Sequence, residues 1–504
     1  MTNYKKIIIV VLALLLTGGV GYYIISKYDQ SIPQSVIKNA TKYDGNTTTI
    51  NLDNMEYSGT GMTIEDNTIY IVYGGTYELT GTMTNNIVID VQDDSDVYLV
   101  LNNVNIVSEA APIYIMQGNT YITLKEDSTN YIEYTKAYNE SEKIDGAIYA
   151  SDDLLITGTG SLEVKSTYDG IVSKDTLTIN DGTYIITSDD DAIRGKDNLI
   201  INNGEFTIVS TGDGLKSTND SDTELGNIII NGGTFNITSN GDAISAYTNL
   251  TITDGDFTIK TGDGYVATSK TMDFGGWNNT TSKNGDSIKG IKADSLITIS
   301  GGTFDLNTSD DAIHSNGNVL IENGKFTIKS SDDAIHADGL VEINGGTFDI
   351  TSSEGIEGTY VKINDGTINI SATDDGINAG NKSSNYQTTI EINGGNITIK
   401  MGNGDTDGID SNGNLYINGG TINITCNSPF DYDGEAKYTG GTLIVNGSQT
   451  TSITSQMMGG GMMGMQGGMQ QGQGNMQGTM PQDGNQNRMP QDNQNGNQGM
   501  RGRR

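Results

Sequence analysis

Apolar residues in this chain alternate with polar ones in short bursts, and turn residues cut the bursts apart. Three bursts follow one another in Val319-Leu-Ile321, Phe326-Thr-Ile328 and Ala334-Ile335. Period-two alternation places Val319, Ile321, Phe326, Ile328 and Ile335 on one side of short strands. Glycine pairs recur too often for an uninterrupted helix. The pattern then repeats: Asn231-Gly-Gly-Thr-Phe235 returns at Ser300–Phe304, Asn344–Phe348, Asn364–Ile368 and Asn418–Ile422. A second phrase, Asp311-Ala-Ile-His314, returns at Asp333–His336 and as Asp375-Gly-Ile-Asn378. Spacings of 20 to 22 residues dominate, with excursions to 25, 29 or 32. Three short strands cannot close a core alone, but stacked on copies of themselves they can. The prediction is an all-β fold, a parallel β-helix solenoid of about 22 residues per coil, rising about 4.8 Å per coil.

Aligned repeats generate columns. Tyr184, Phe206, Phe235, Phe257, Phe304, Phe326 and Phe348 share one position, which Ile368, Ile397, Ile422 and Leu443 continue. Six of the eight phenylalanines therefore fall in one predicted ladder, read as core and not as a sugar platform. The glycines after Asn231 and Asn344 suit turns that need positive φ. Residues 46–144 keep strand alternation but a looser repeat, as befits the capped end of a solenoid, and residues 145–450 form its regular body.

The two ends differ in character. Lys5 and Lys6 precede an apolar run from Ile7 to Ile25, long enough at ~1.5 Å per residue to span a membrane. Residues 1–26 are expected to be an uncleaved single-pass anchor with the rest exported to the cell surface; a cleaved signal peptide is the rival reading. Residues 27–45 would link anchor and body. Residues 451–504 make a Met/Gln/Gly-rich tail expected to be disordered, with ten of the 17 methionines after Ser455. Thioether binding of Cu(I) is the alternative use of that tail.

Composition narrows the chemistry. Sixty-three acidic against 28 basic side chains leave a net charge of −35, which disfavours nucleic acid as a partner. One cysteine, Cys426, allows no internal disulfide. Alignment on the second phrase stacks Asp145, Asp169, Asp191, Asp213, Asp242, Asp263, Asp286, Asp311, Asp333, Glu354, Asp375, Asp407 and Asp433 along one edge. Asp263 and Asp286 can share a coil, which makes Ala267–Gly285, with Trp277, a loop leaving the stack. Neighbouring carboxylates at coil spacing repel by about 1 kcal/mol even in water. A single Asp is explained by a local turn that it caps. The doubled acids Asp189-Asp190-Asp191, Asp310-Asp311, Asp332-Asp333 and Asp374-Asp375, together with Asp213, suit Ca²⁺, a hard cation taking several oxygens.

Three residues beyond each acid lies a second column: Arg194, Lys216, Ser245, Lys289, His314, His336, Glu357, Asn378 and Asp410. The adjacent Ile or Leu points inward, so these point outward and would floor an extended groove matched to a polymer. Both histidines stand here, open to a metal or acid–base role or to a solvated surface role.

In the order Lys289-Gly-Ile-Lys292-Ala293, Asp310–Asn316, Asp332–Asp338, Glu354–Gly358, Asp374–Ala379 and Asp407–Gly413, these phrases become recognisable. With Leu154–Leu162 and Gly212–Ser217, they resemble the clostridial family of exported carbohydrate-binding β-helix proteins, over about residues 46–450. The resemblance implies a right-handed parallel β-helix like that of polysaccharide lyases, bound calcium, and affinity for cellulose-like and acidic, pectin-type polysaccharides such as polygalacturonate, without catalysis. Lys289, Lys292, His314, His336, Glu357, Asn378, Asp410 and Trp277 are the candidate sugar contacts, and a monomer is expected. The alternatives are a calcium-dependent pectate lyase with Lys216 or Arg194 as base, and a passive surface spacer.

Overall fold

The computed structural model describes residues 32, 34–91, 95–139, 141–267, 287–402 and 406–455. The expected anchor, the Met-rich tail, Trp277 and Asp286 lie outside the described residues. Among the described residues, no helix is long and apolar enough to cross a membrane.

The bursts read from the sequence become strands that pair in parallel with their counterparts one repeat before and after. One coil runs Asn198–Ile201, Glu205–Ser210 and Leu215–Ser217. These stack on Thr176–Ile179, Thr183–Ser188 and Ile193–Gly195 respectively. The solenoid thus has three faces, built of four-, six- and three-residue strands. Parallel pairing begins at Thr48–Asn51 with Gly75–Met83 and runs to Thr421–Thr425 with Thr442–Val445. Short antiparallel pairs mark both ends: Thr48–Asn51 with Glu56–Ser58, and Thr442–Val445 with Ser448–Thr450. Within the segment read as a linker, Gln34–Asn39 is helical, and Val36 packs with Ile32, Val72 and Val88.

Alternation does the sorting. Each six-residue strand buries every second side chain, as in Glu205–Ser210 and Thr234–Ser239. Tyr184, Phe206, Phe235, Phe257, Phe304, Phe326 and Phe348 stack with ring centroids 4.9 to 4.6 Å apart, all buried. Each ring contributes roughly 1.5–3 kcal/mol by leaving water, plus the offset stack itself.

Corners are held by ladders of polar side chains. Asn202 Nδ2 donates to Asn180 Oδ1, and Asn231 Nδ2 to Asn202 Oδ1, both at 2.7 Å. The series resumes through Asn364, Asn393 and Asn418, each donating to the Asn one coil earlier. In the following pair of glycines only the second has positive φ: Gly233 at 115° and Gly346 at 104°. Register is kept across longer spacings: Phe257 lies against Phe304, and Ile244 against Ile291.

Candidate functional site

The three-residue strands carry the acid edge, and pairing fixes its membership. Asp169, Asp191, Asp213 and Asp242 fall in register, because Ile171, Ile193, Leu215 and Ile244 pair in sequence two positions on. Ile244 then pairs with Ile291 and Ile291 with Ile313, so the next member is Lys289, followed by Asp311, Asp333, Glu354, Asp375 and Asp407. Three expected positions are corrected. Asp263 is displaced by Lys289, Gly146 and not Asp145 pairs with Asp169, and Ser428 and not Asp433 pairs with Asp407. The outward column corrects likewise: Ser245 pairs with Lys292 and Lys292 with His314, so Lys292 holds the place assigned to Lys289.

Six of the column carboxylates, those of Asp169, Asp191, Asp213, Asp242, Asp311 and Asp375, accept a backbone N–H, as a turn-capping Asp would, but from the next coil. Asp191 N–H donates to Asp169 Oδ1 at 3.0 Å, Asp213 N–H to Asp191 at 2.9 Å, and Asp242 N–H to Asp213 at 2.7 Å. Lys289 N–H continues to Asp242 at 2.7 Å, Asp333 N–H to Asp311 at 3.0 Å, and Asp407 N–H to Asp375 at 3.1 Å. In Asp169, Asp191, Asp213, Asp242 and Asp311 one oxygen is therefore structural, and the other meets the outward column.

There the chain supplies its own cations. Arg194 bonds Asp169 and, through Nη2, Asp145 Oδ2 at 2.8 Å. Lys216 Nζ lies 3.0 Å from both Asp191 Oδ2 and Asp213 Oδ2. Lys292 Nζ is 3.4 Å from Asp242 Oδ2, and Lys289 Nζ 2.8 Å from Asp311 Oδ2 and 3.2 Å from Asp310. His314 Nδ1 meets Asp311 Oδ2 at 2.8 Å. His336 Nδ1 meets Asp333 Oδ2 at 2.6 Å and Glu357 Oε2 at 2.9 Å, and Lys382 Nζ closes on Glu357 at 2.6 Å. The two imidazoles stack 4.6 Å apart. A solvated surface role for the pair is overturned for His336, which is 7% exposed. The repulsion that pointed to an external cation is thus largely answered from within.

Protonation follows this wiring. Burial opposes charge on His336, but the Asp333 and Glu357 carboxylates raise it to about 10. Burial works against ionisation of Glu357 too, yet the His336 bond brings it down to about 2. Burial pushes Asp213 up to about 6 against the pull of Lys216. Arg194 and Lys216 are both held above their ordinary values, because the flanking aspartates outweigh burial. Towards the C-terminal end the balance reverses. Asp375 rises to about 8 through burial and the charges of Glu354, Asp374 and Asp410. Asp410 rises to about 6 through burial and Asp407, Asp431 and Asp433. Asn378 donates to Glu354 Oε2 at 3.0 Å and Glu357 Oε1 at 3.2 Å.

Several carboxylate groups converge closely enough for a metal. Donor atoms lie within 4.8 Å of one another in Asp169/Asp190/Asp191, in Asp310/Asp311/Asp332, in Asp311/His314/His336 and in Asp333/His336/Glu357. Asp189 is exposed and belongs to none of these. A further cluster, Asp152/Asp153/Asp175, escaped sequence reasoning. The doubled Asp152-Asp153 was its signal, hidden because it lies past the repeated phrase.

A family profile described as "Carbohydrate-binding domain-containing protein" matches residues 65–334, 316–358 and 333–456. A protein of the same description from Acetivibrio thermocellus is 28% identical over 127 residues, 24% of this chain and 43% of that protein. The match thus spans less than half the length of that relative. A solved polysaccharide lyase-like protein from C. thermocellum, studied as a gadolinium derivative, is 26% identical with a TM-score of 0.40, over 43% of this chain and 90% of that one.

Proposed function

The chain belongs to the carbohydrate-binding domain-containing family, and from that premise we propose that it is an exported, surface-tethered, monomeric binder of a long polysaccharide lying along the charged edge. One observation carries this reading. Arg194, Lys216, Ser245, Lys292, His314, His336, Glu357, Asn378 and Asp410 form a column in unbroken register, one polar group per coil, of which His336, Glu357 and Asn378 are buried. At about 4.8 Å per coil the column keeps step with a polymer of sugar units. Export and tethering rest on Lys5, Lys6 and the apolar run that follows.

Calcium fits one end of the edge better than the other. Asp191, Asp213, Asp310 and Asp311 are engaged by Arg194, Lys216 and Lys289. Asp375 is pressed upward by burial and by the charges of Glu354, Asp374 and Asp410, and an oxygen donor of this kind suits Ca²⁺. Bound there, Ca²⁺ would bridge protein and uronate carboxylates, which lets an acidic protein hold polygalacturonate. Asp374 and Asp375 would hold the ion while the cationic stretch from Arg194 to Lys292 orients the polymer.

A lyase base must lose its proton near neutral pH. Arg194 and Lys216 are instead held charged by their aspartates, which supports binding over elimination. The test is retention of the full chain on polygalacturonate and on cellulose, with calcium or with chelator, alongside absorbance of unsaturated uronides. Calcium-dependent retention without new absorbance is expected. Retention of neither polymer sinks the reading, and growing absorbance replaces it with a lyase.

A further inference from the structure

Both histidines of the chain stand in register on adjacent coils, and their rings stack 4.6 Å apart. They are wired alike. Each turns Nδ1 to the acid edge, His314 to Asp311 Oδ2 at 2.8 Å, and His336 to Asp333 Oδ2 at 2.6 Å and Glu357 Oε2 at 2.9 Å. Each turns Nε2 to an oxygen two residues on, Asn316 Oδ1 at 3.0 Å and Asp338 Oδ1 at 3.4 Å. Asn316 is set in that sense by its own amide, which donates to Asp294 Oδ1 at 2.9 Å. All four ring nitrogens therefore face acceptors, but a neutral imidazole has a single N–H. Each ring needs a second positive partner. Two imidazolium ions in stacked rings would repel one another, and a proton on His336 answers only one ring. One divalent ion on the Nδ1 side answers both.

We propose that His314 Nδ1 and His336 Nδ1 hold a borderline divalent cation of the zinc class, with Asp311 and Asp333 as oxygen ligands, and that the ion staples their two coils. Donor atoms of Asp311, His314 and His336 already lie within 4.8 Å of one another. Ligands around a tetrahedral Zn²⁺ stand about 3.3 Å apart, so the contacts at Nδ1 need open by only about half an ångström. The outer shell is in place. A ligating imidazole commonly gives its other N–H to an oxygen, as Nε2 does here towards Asn316 and Asp338. Glu357, tied to Lys382 at 2.6 Å and to Asn378 at 3.2 Å, flanks the ion. Charge favours a dication. Lys382 and Lys289, the latter 2.8 Å from Asp311 Oδ2, are the ammonium groups that the described ion pairs bring to the rings. Lys292, in register with His314, is engaged by Asp242 at 3.4 Å. Against them stand Asp311, Asp333, Glu357 and Asp338, with Asp310 and Glu354 beyond. Imidazole nitrogen suits zinc, copper or nickel, whereas calcium takes oxygen ligands. The site is therefore distinct from the calcium end at Asp374 and Asp375, and it goes beyond the carbohydrate reading.

The experiment strips the full chain with chelator and dialyses it against ZnCl₂ in excess calcium. Bound zinc is counted by atomic absorption, and Co²⁺ put in its place reports the ligand geometry through its visible spectrum. One zinc per chain should be retained, the Co²⁺ spectrum should have the intense bands of a tetrahedral ion, and zinc should raise the melting temperature. His314→Gln should weaken zinc binding by roughly a hundredfold and abolish those bands. Asp338→Ala leaves every ligand in place and changes a side chain that is 43% exposed, so it guards against a folding artefact. It should weaken binding about tenfold through the loosened His336 ring. Displacement of zinc by calcium, or an octahedral Co²⁺ spectrum, overturns the site. So does zinc held as tightly by both variants as by the parent. No polymer enters the measurement, so failure of the carbohydrate reading would leave its outcome intact.

Discussion

At the scale of the residue, His336 shows how a buried edge can be both acidic and stable. Its ring bridges Asp333 and Glu357, and removing one partner of a buried ion pair typically costs about 3–5 kcal/mol. His336→Gln should therefore lower the urea midpoint sharply at pH 7. The folded value near 10 lies above the unfolded ~6.5. This stabilisation is complete below about pH 6.5 and is lost as pH rises through about 10. The gap between wild type and variant should accordingly shrink in denaturation curves taken above pH 10, and a gap independent of pH would contradict the charged pair. Asp375 behaves oppositely. Its carboxyl is raised to about 8, so ionisation costs stability as pH climbs from about 4 to 8. Asp375→Asn keeps an oxygen for the Asp407 N–H and removes the charge. The variant should be more stable than wild type by about 1 kcal/mol at pH 8 in chelator, and less stable in calcium. Thermal melts in the two buffers check both signs.

At the scale of the element, the paired glycines separate what a turn requires from what it tolerates. A Cβ on Gly232 would meet only the Asn202 carbonyl oxygen at 3.6 Å, in ordinary contact. On Gly233, at φ 115°, it would press the Gly204 carbonyl oxygen at 2.9 Å. Gly232→Ala should be neutral, or stabilising by up to about 1 kcal/mol through the unfolded chain. Gly233→Ala should cost about 1–3 kcal/mol. Hydrogen exchange around Phe235 would register the second and not the first, and equal effects would mean the corner is not held as described. The sequence made this corner legible because Asn-Gly-Gly recurs, yet nothing in a string of letters says which glycine turns left-handed. The aromatic ladder was legible for the same reason: one large apolar side chain per repeat can only stack. Lys289 was not. The insertion after Thr261 hides the register, and counting three residues from Asp286 set this lysine in the wrong column. Nor could the reach of Arg194 to Asp145, 49 residues back, be read without coordinates. Neutralisation of the acid edge is a property of stacked coils, absent from any one of them.

At the scale of the whole molecule, a net charge of −35 sets the sign of every long-range interaction with an acidic polymer. The surroundings of Arg194, Lys216, Lys289 and Lys292 are not a basic patch, since each is already matched to aspartates of the edge. A protein that binds polyanions through uncompensated lysines loses affinity as salt rises. In the proposed complex with polygalacturonate both partners are polyanions, and their repulsion reaches about 30 Å at 0.01 M salt and about 10 Å at 0.1 M. Retention by polygalacturonate should therefore increase from low to moderate NaCl when calcium is present. In chelator it should stay weak at both, because screening removes repulsion without supplying a bridge. Electrophoresis through polygalacturonate across this grid of salt and calcium reads both dependences at once. A polygalacturonate affinity that falls monotonically with salt would mean that free cations carry the contact. The internal pairing of the edge would then open when polymer arrives, and Arg194 and Lys216 would have to leave their aspartates to meet it.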